Sequence, residues 1–145
     1  MKIIVNNKQA YHDFEILHTV EAGIVLKGTE IKSLRNGKAR IAESFVMITN
    51  GEAFIHNMSI PHYTQGNINN HDETRVRKLL LKKSEIKSLQ DECKRGNLTI
   101  IPTTLYLKES RAKLEIAVAR GKKLHDKRQA EKDKTVERDL RRGDY

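Results

Sequence analysis

The chain has 145 residues, one domain's worth, with 28 lysines and arginines against 19 acids and a formal net charge of +9. That balance favours a polyanionic partner, nucleic acid or an anionic membrane surface, although a merely soluble basic protein also fits charge alone. Cys93 is the only cysteine, which excludes an internal disulfide or a cysteine zinc cluster and fits a reducing compartment.

No apolar run approaches the length of a membrane span. Met1-Lys2-Ile3-Ile4-Val5 turns polar at Asn6, too early for a signal peptide. A cytosolic protein is therefore expected. Asn6 to Asp13 is polar, after which Phe14-Glu15-Ile16-Leu17-His18 begins a strand. Ile24-Val25-Leu26, between Gly23 and Gly28, reads as a separate short β segment. Thr29 is the expected N-cap of a brief helix over 30–36, with Gly37 just past its end. On it Ile31 and Leu34 face the core, while Lys32 and Arg35 point elsewhere.

The clearest β signal lies between Ile41 and Ile60. Asn50-Gly51 supplies the two positive-φ residues of a type I′ hairpin turn, flanked by Phe45-Val46-Met47-Ile48 and Ala53-Phe54-Ile55. Pro61 stops the second strand. A polar loop over 62–72 carries Gln65-Gly66-Asn67 and Asn69-Asn70 as turn residues.

Arg75 to Lys83 reads as a basic approach to a second helix capped by Ser84. Ile86, Leu89 and Cys93 form one apolar stripe on it, and Gly96 lies beyond its end. That spacing makes Cys93 a small core residue rather than a reactive thiol. Strand character returns at Leu98 to Ile101, and Pro102 marks an edge, bend or bulge. Leu105-Tyr106-Leu107 and the segment 114–118 flank a polar tip, Lys108-Glu109-Ser110-Arg111. In the second of these, Leu114, Ile116 and Val118 face inward and Lys113, Glu115 and Ala117 outward.

Short strands in hairpin order with two or three short helices suggest a mainly β fold, an OB-like antiparallel β-barrel over 1–121. An OB-like Greek-key barrel is the commonest such shape that binds nucleic acid. Strand number alone does not establish closure.

Residues 122–145 form a basic C-terminal tail whose only large aliphatic residues are Leu124, Val136 and Leu140. Such a segment cannot offset roughly 1–2 kcal/mol of backbone entropy per residue, so it is expected to be disordered when free. Its helix propensity is nonetheless good. On a helix Lys127, Arg128, Lys134, Arg138, Arg141 and Arg142 share one broad side. Two readings stay open here: an arm that folds when its basic side meets phosphates, and an ordinary solvated tail.

Catalytic constellations are missing. The histidines at 12, 18, 56, 62, 71 and 125 do not fall at zinc-ligand spacings, and no His-Glu-x-x-His, Cys-x-x-Cys or phosphate-cradling glycine loop is present. The adjacent acid pairs Asp72–Glu73 and Asp91–Glu92 point apart on regular structure. No enzymatic activity and no cofactor are expected.

The order of motifs is more specific than composition. Asn7-Lys8-Gln9-Ala10-Tyr11-His12-Asp13-Phe14 comes first, then Glu21 through Arg35, Asn70-His71-Asp72, Arg75 through Leu81, and the junction Ala119-Arg120-Gly121-Lys122-Lys123-Leu124-His125-Asp126-Lys127-Arg128. From about residue 6 onward the chain resembles the bacterial SsrA-binding protein family, also called small protein B. It departs from that pattern at Glu73, where many members have proline, and at Lys82, where His or Asn is common.

The resemblance implies an RNA-binding adaptor that carries transfer-messenger RNA (tmRNA) to stalled ribosomes for trans-translation. The barrel binds the tRNA-like domain. The tail enters the empty mRNA channel near the decoding centre and becomes helical there. No membrane partner is implied, and a monomer is expected. Asn7, His12, Glu21, Leu80 and Lys113 match positions that the family uses at its RNA surface, and Lys8 is counted with them.

Lys32, Arg35, Arg75, Arg77 and Lys78 are natural contacts for RNA backbone. His12 suits stacking on, or hydrogen bonding to, an unpaired nucleotide. Glu21 must accept from a base or hydroxyl, or hold a basic neighbour. Leu80, in an apolar run, reads by itself as core. Asp126, Lys127 and Arg128 match the tail motif of the ribosomal step, and Gly121, Lys122, Lys123 and Arg138 are assigned to the same function. Two rivals stand beside this: a structural ribosomal protein with a basic extension, and a general OB-fold single-strand binder. The second is weakened by an aromatic content of 5% and the absence of tryptophan.

Overall fold

The computed structural model describes residues 1–62 and 71–121. The expected turn residues Gln65, Gly66, Asn67, Asn69 and Asn70, and the whole tail from Lys122, lie outside the described residues. In chain order the elements are β1 (Lys2–Asn6), α1 (Lys8–Asp13), β2 (Phe14–Ile24), α2 (Gly28–Arg35), β3 (Phe45–Thr49) and β4 (Glu52–His56). They continue with β5 (Arg77–Leu80), α3 (Lys83–Gly96), β6 (Thr99–Lys108) and β7 (Arg111–Gly121).

Every strand pairing is antiparallel, and the pairings close on themselves. The ring runs β6-β3-β4-β5-β2-β7 and returns from β7 to β6, with β1 added to β6 beside β3. Closure gives the ring strands partners on both sides, where a flat sheet would leave two of them at open edges. The result is the OB-like antiparallel barrel expected, with three helices among the described residues.

Local chemistry explains the turns. Asn50 and Gly51 take φ of 53° and 76° between β3 and β4, the two positive values of the expected I′ turn. Glu109 and Ser110 make the same kind of turn between β6 and β7, at φ 52° and 67°. Of the edge, bend or bulge expected at Pro102, the structure has a register shift between Pro102 and Thr104. Leu114 and Ile116 point into a core that also holds Leu34, Ile55, Met58 and Leu79.

Ala117 faces outward as expected, but its face is covered rather than open to solvent. It is fully buried there with Ala119, because α1 lies across it through Ala10. The small side chains of Ala117 and Ala119 let Ala10 pack on that face, together with Ile101.

Several elements differ from the sequence expectation. The N-terminal segment is a strand, and the polar stretch after it is a helix because the Asn7 side chain accepts from Ala10 N–H at its start. Residues 14–24 form one continuous strand rather than two. Helix α2 begins one residue before Thr29, with Glu30 Oε1 accepting Lys27 N–H at 2.7 Å. The Thr29 hydroxyl instead meets His71 Nδ1 at 2.9 Å. Residues 77–80, on the approach to the second helix, are themselves a barrel strand, because they pair with both β4 and β2. Helix α3 is capped by Glu85, which accepts Lys82 N–H at 2.9 Å, rather than by Ser84. It is stopped by Asn97 at φ 54°.

Candidate nucleic-acid interface

A surface that combines exposed apolar and basic residues lies where β2, β5 and the β6–β7 tip meet. Gly23 is the hinge of this arrangement, since its Cα pairs with Leu80 on one side and Lys113 on the other. Strand β5 alternates, burying Arg77 and Leu79 and exposing Lys78 and Leu80. The reading of Leu80 as core is therefore corrected. It is 55% exposed, with Val25 and Val76 at 44% each. A Cβ at Gly23 would stand 3.2 Å from Leu80 Cβ, so the glycine lets Leu80 lie close over β2. Beside it opens a groove of about 370 Å³, bounded by Val25, Ile31, Leu80, Arg111 and Lys113. An apolar floor with a cationic rim can hold a base or ribose against Leu80 and a phosphate against the cations.

Glu21 lies on the same surface. The Tyr106 hydroxyl donates to Glu21 Oε2, and Lys108 Nζ is 3.9 Å from that oxygen. The Tyr106 hydrogen bond holds the Glu21 carboxyl below its ordinary value against a small opposing effect of burial, and Lys108 and Lys113 add to the lowering. Burial, then Glu21 itself, pushes the Tyr106 phenol up. Glu21 is thus an oriented carboxylate that accepts from a hydroxyl and lies within a basic neighbourhood.

Asn7, Lys8 and His12 are at the other end of the barrel. Helix α1 covers Ala117 and Ala119, about 13–20 Å along β7 from Lys113 at roughly 3.3 Å per residue. Asn7 is buried, and its direct RNA contact is corrected. Its Nδ2 donates to Pro102 O at 2.9 Å and Ile41 O at 3.4 Å while its Oδ1 caps α1. It fixes the helix to the barrel. Lys8 is exposed, and His12 Nδ1 lies 2.9 Å from Asp13 Oδ1.

Arg77 is corrected most fully. Its side chain is 0% exposed and cannot reach a phosphate. Its Nε donates to Glu30 Oε2 at 2.6 Å, Nη1 to Met58 O at 2.7 Å and Nη2 to Glu73 O at 3.0 Å. Arg75 Nη2 donates to Glu30 Oε1 at 2.7 Å, so Arg75 is only partly available. Lys78 is half-exposed and pairs with Glu52 at 2.6 Å. Lys32 and Arg35 are exposed on α2.

The two departures from the family pattern have local roles. The Glu73 carbonyl accepts from Ile60 N–H and Arg77, and its carboxylate accepts from His62 N–H at 3.2 Å. Lys82 is exposed at the start of α3. Sequence reading missed Lys108, Arg111, Tyr106 and Val25 as members of the surface. The signal for the first two was present, since the polar tip between two recognisable strands had to project from the barrel.

Gly121 is the last described residue and pairs with Phe14. Lys122, Lys123, Asp126, Lys127, Arg128 and Arg138 lie outside the described residues. Among the described residues no group of three or more His, Cys, Asp or Glu side chains is placed to hold a metal ion. No helix among them is long and apolar enough to cross a membrane.

Comparison with known proteins identifies relatives over nearly the whole chain. The family model described as "SmpB protein" matches residues 4–144. The SsrA-binding protein of Halothermothrix orenii is 51% identical over 98% of this chain and 92% of its own length. That of Enterococcus faecalis is 50% identical over 97% and 92%. A solved structure described as "tmRNA-SmpB: a journey to the center of the bacterial ribosome" superposes with a TM-score of 0.71 at 44% identity, covering 85% of this chain and 86% of that one. The chain belongs to the SmpB protein family, whose curated members are SsrA-binding proteins.

Proposed function

We propose that this protein is a non-enzymatic RNA-binding adaptor, which binds the tRNA-like domain of tmRNA and delivers it to stalled ribosomes for trans-translation. Family membership supplies the partners. The observation that carries the reading within this chain is the outer face around Gly23, where exposed Leu80 has Lys113 across β2 and Lys78 two residues back along β5. That face reads an RNA fold by shape, through backbone contacts and an unstacked base, as most RNA loops are read. Lys32 and Arg35 extend the backbone contacts, and Lys8 and His12 form a second contact at the far end.

The basic tail, 122–145, enters the mRNA channel of a ribosome that lacks message there. Phosphate contacts in the channel offset the entropy of ordering it as a helix. A path already filled by RNA excludes it, so the discrimination is steric and electrostatic. Asp126, Lys127 and Arg128 begin this helix, Gly121 to Lys123 lead into it, and Arg138 lies on its basic side. The protein acts in the cytoplasm as a monomer.

One comparison tests the division of labour. The full chain and a truncation after Lys123 are assayed for affinity to tmRNA and for tagging on stalled ribosomes. Nearly unchanged affinity with lost tagging is expected. Loss of RNA binding on truncation, with tagging restored whenever affinity is restored, would show that the tail is part of the RNA grip instead.

A further inference from the structure

We infer that Leu124 docks in cis on the barrel, in an apolar groove beside the end of β7, and so anchors the tail's first residues in the free protein. The groove has a volume of about 330 Å³ and is walled by Phe14, Phe45, Thr99 and Ile101. It lies where the chain leaves the barrel. Phe14 is the pairing partner of Gly121, and Thr99 is the pairing partner of Ala119. Leu124 is three residues beyond Gly121, a reach of about 10 Å at 3.3–3.6 Å per residue.

Three further features fit this occupant. Phe14 and Phe45 are only partly buried, although they belong to a residue type that a fold normally covers. Ser44 Oγ, at the groove, is buried with no hydrogen-bond partner among the described residues, and a peptide group entering the groove would supply one. The groove is also lined by two acids, Asp13 and Glu43. The segment that would cross it, Lys122-Lys123-Leu124, is a leucine preceded by two cations. Apolar floor and acidic rim therefore meet apolar side chain and basic flank.

Docking of Leu124 moves the effective boundary of the domain. Gly121 to Leu124 would continue the barrel surface, and the free arm would begin at His125. The origin of the arm is then held at a defined point instead of swinging about Gly121. This inference concerns the protein alone and stands whether or not the tail enters a ribosomal channel.

The test is methyl NMR of the full free chain. Leu124 methyl groups should show upfield ring-current shifts and nuclear Overhauser contacts to the Phe14 and Phe45 rings. Leu124→Ser should abolish them and move the Phe14, Phe45 and Ile101 resonances while leaving core Leu79 in place. Glu43→Lys should weaken the same contacts. Random-coil Leu124 methyl shifts, with groove resonances indifferent to Leu124→Ser, would overturn the proposal. Groove signals that respond to Val136→Ser or Leu140→Ser instead would also overturn it, because another residue would be the occupant. So would contacts that disappear on dilution, since a second copy would then be docking.

Discussion

Arg77 Nε donates to Glu30 Oε2 at 2.6 Å, and neither side chain has any surface open to solvent. The pair ties α2 to β5, while the same guanidinium holds the carbonyls of Met58 and Glu73. Glu30 also accepts the N–H of Lys27 and a second guanidinium from Arg75. One carboxylate thus organises the start of a helix, a strand and a loop.

Removing either partner leaves an uncompensated buried charge. Glu30→Ala or Arg77→Ala should destabilise the protein by about 3–5 kcal/mol. Urea unfolding followed by circular dichroism checks this. The midpoint should fall with the slope unchanged. A shift below about 0.5 kcal/mol, the ordinary range for surface substitutions, would place Arg77 at the surface after all.

The same carboxyl predicts a pH dependence. Burial pushes the Glu30 carboxyl up, but the hydrogen bonds from Arg75, Lys27 N–H and Arg77 outweigh it, so the net value lies below the ordinary one. The unfolded chain therefore binds its proton first as pH falls, and stability declines across that window. The contribution is fully present above the ordinary carboxylate range and is lost as pH falls through the lower folded value. Urea midpoints measured from neutral pH downward should fall more steeply in the parent than in Glu30→Gln. Parallel profiles would show that Glu30 does not carry the acid sensitivity.

How much of this was legible beforehand depended on how local the cause is. Asn50-Gly51 names its turn by residue type, and Leu114, Ile116 and Val118 name their face by alternation. Alternation also placed Ala117 outward correctly, but it carries no information about α1, which covers it. Arg77 and Lys78 have the same charge and are adjacent. Which is sealed depends on strand register and on Glu30, which lies 47 residues away in sequence. Leu79 and Leu80 are likewise the same residue type on opposite faces. For the interface, resemblance named Glu21, Leu80 and Lys113, and only the pairing of β2 with β5 and β7 brought them together.

Leu79 and Leu80 provide a paired test of that face. Leu79 is core, so Leu79→Ala should cost about 2–5 kcal/mol of stability. Leu80→Ala removes a side chain that is mostly in water and should change stability by less than about 0.5 kcal/mol. Its effect should fall on affinity for the tRNA-like domain, measured by fluorescence anisotropy. Equal losses of stability from the two substitutions, with affinity unaffected by Leu80→Ala, would return Leu80 to a packing role.

Tyr106 positions Glu21. Tyr106→Phe removes the hydroxyl that orients the carboxylate, which can then turn toward water. RNA affinity should fall about 2–10-fold, the equivalent of a net hydrogen bond of about 0.5–1.5 kcal/mol. Glu21→Ala should weaken binding at least as much. If Glu21→Ala weakens binding and Tyr106→Phe does not, the orientation of Glu21 is set by something other than the phenol.

Lys113 and Arg77 should differ most clearly in their salt dependence. Lys113 stands on the outer side of β7 beside Leu80, within reach of phosphate. Neutralising it should weaken binding and reduce the slope of log affinity against log salt by about 0.9, if this RNA behaves as duplex B-DNA does. Arg77→Lys should lower stability but leave that slope unchanged for the folded fraction, because the Arg77 charge is already committed to Glu30. Titrations at several salt concentrations, below the unfolding midpoint of each variant, separate the two effects. A slope reduced equally by both substitutions would mean that Arg77 reaches RNA in the complex, and that the buried pair opens when RNA binds.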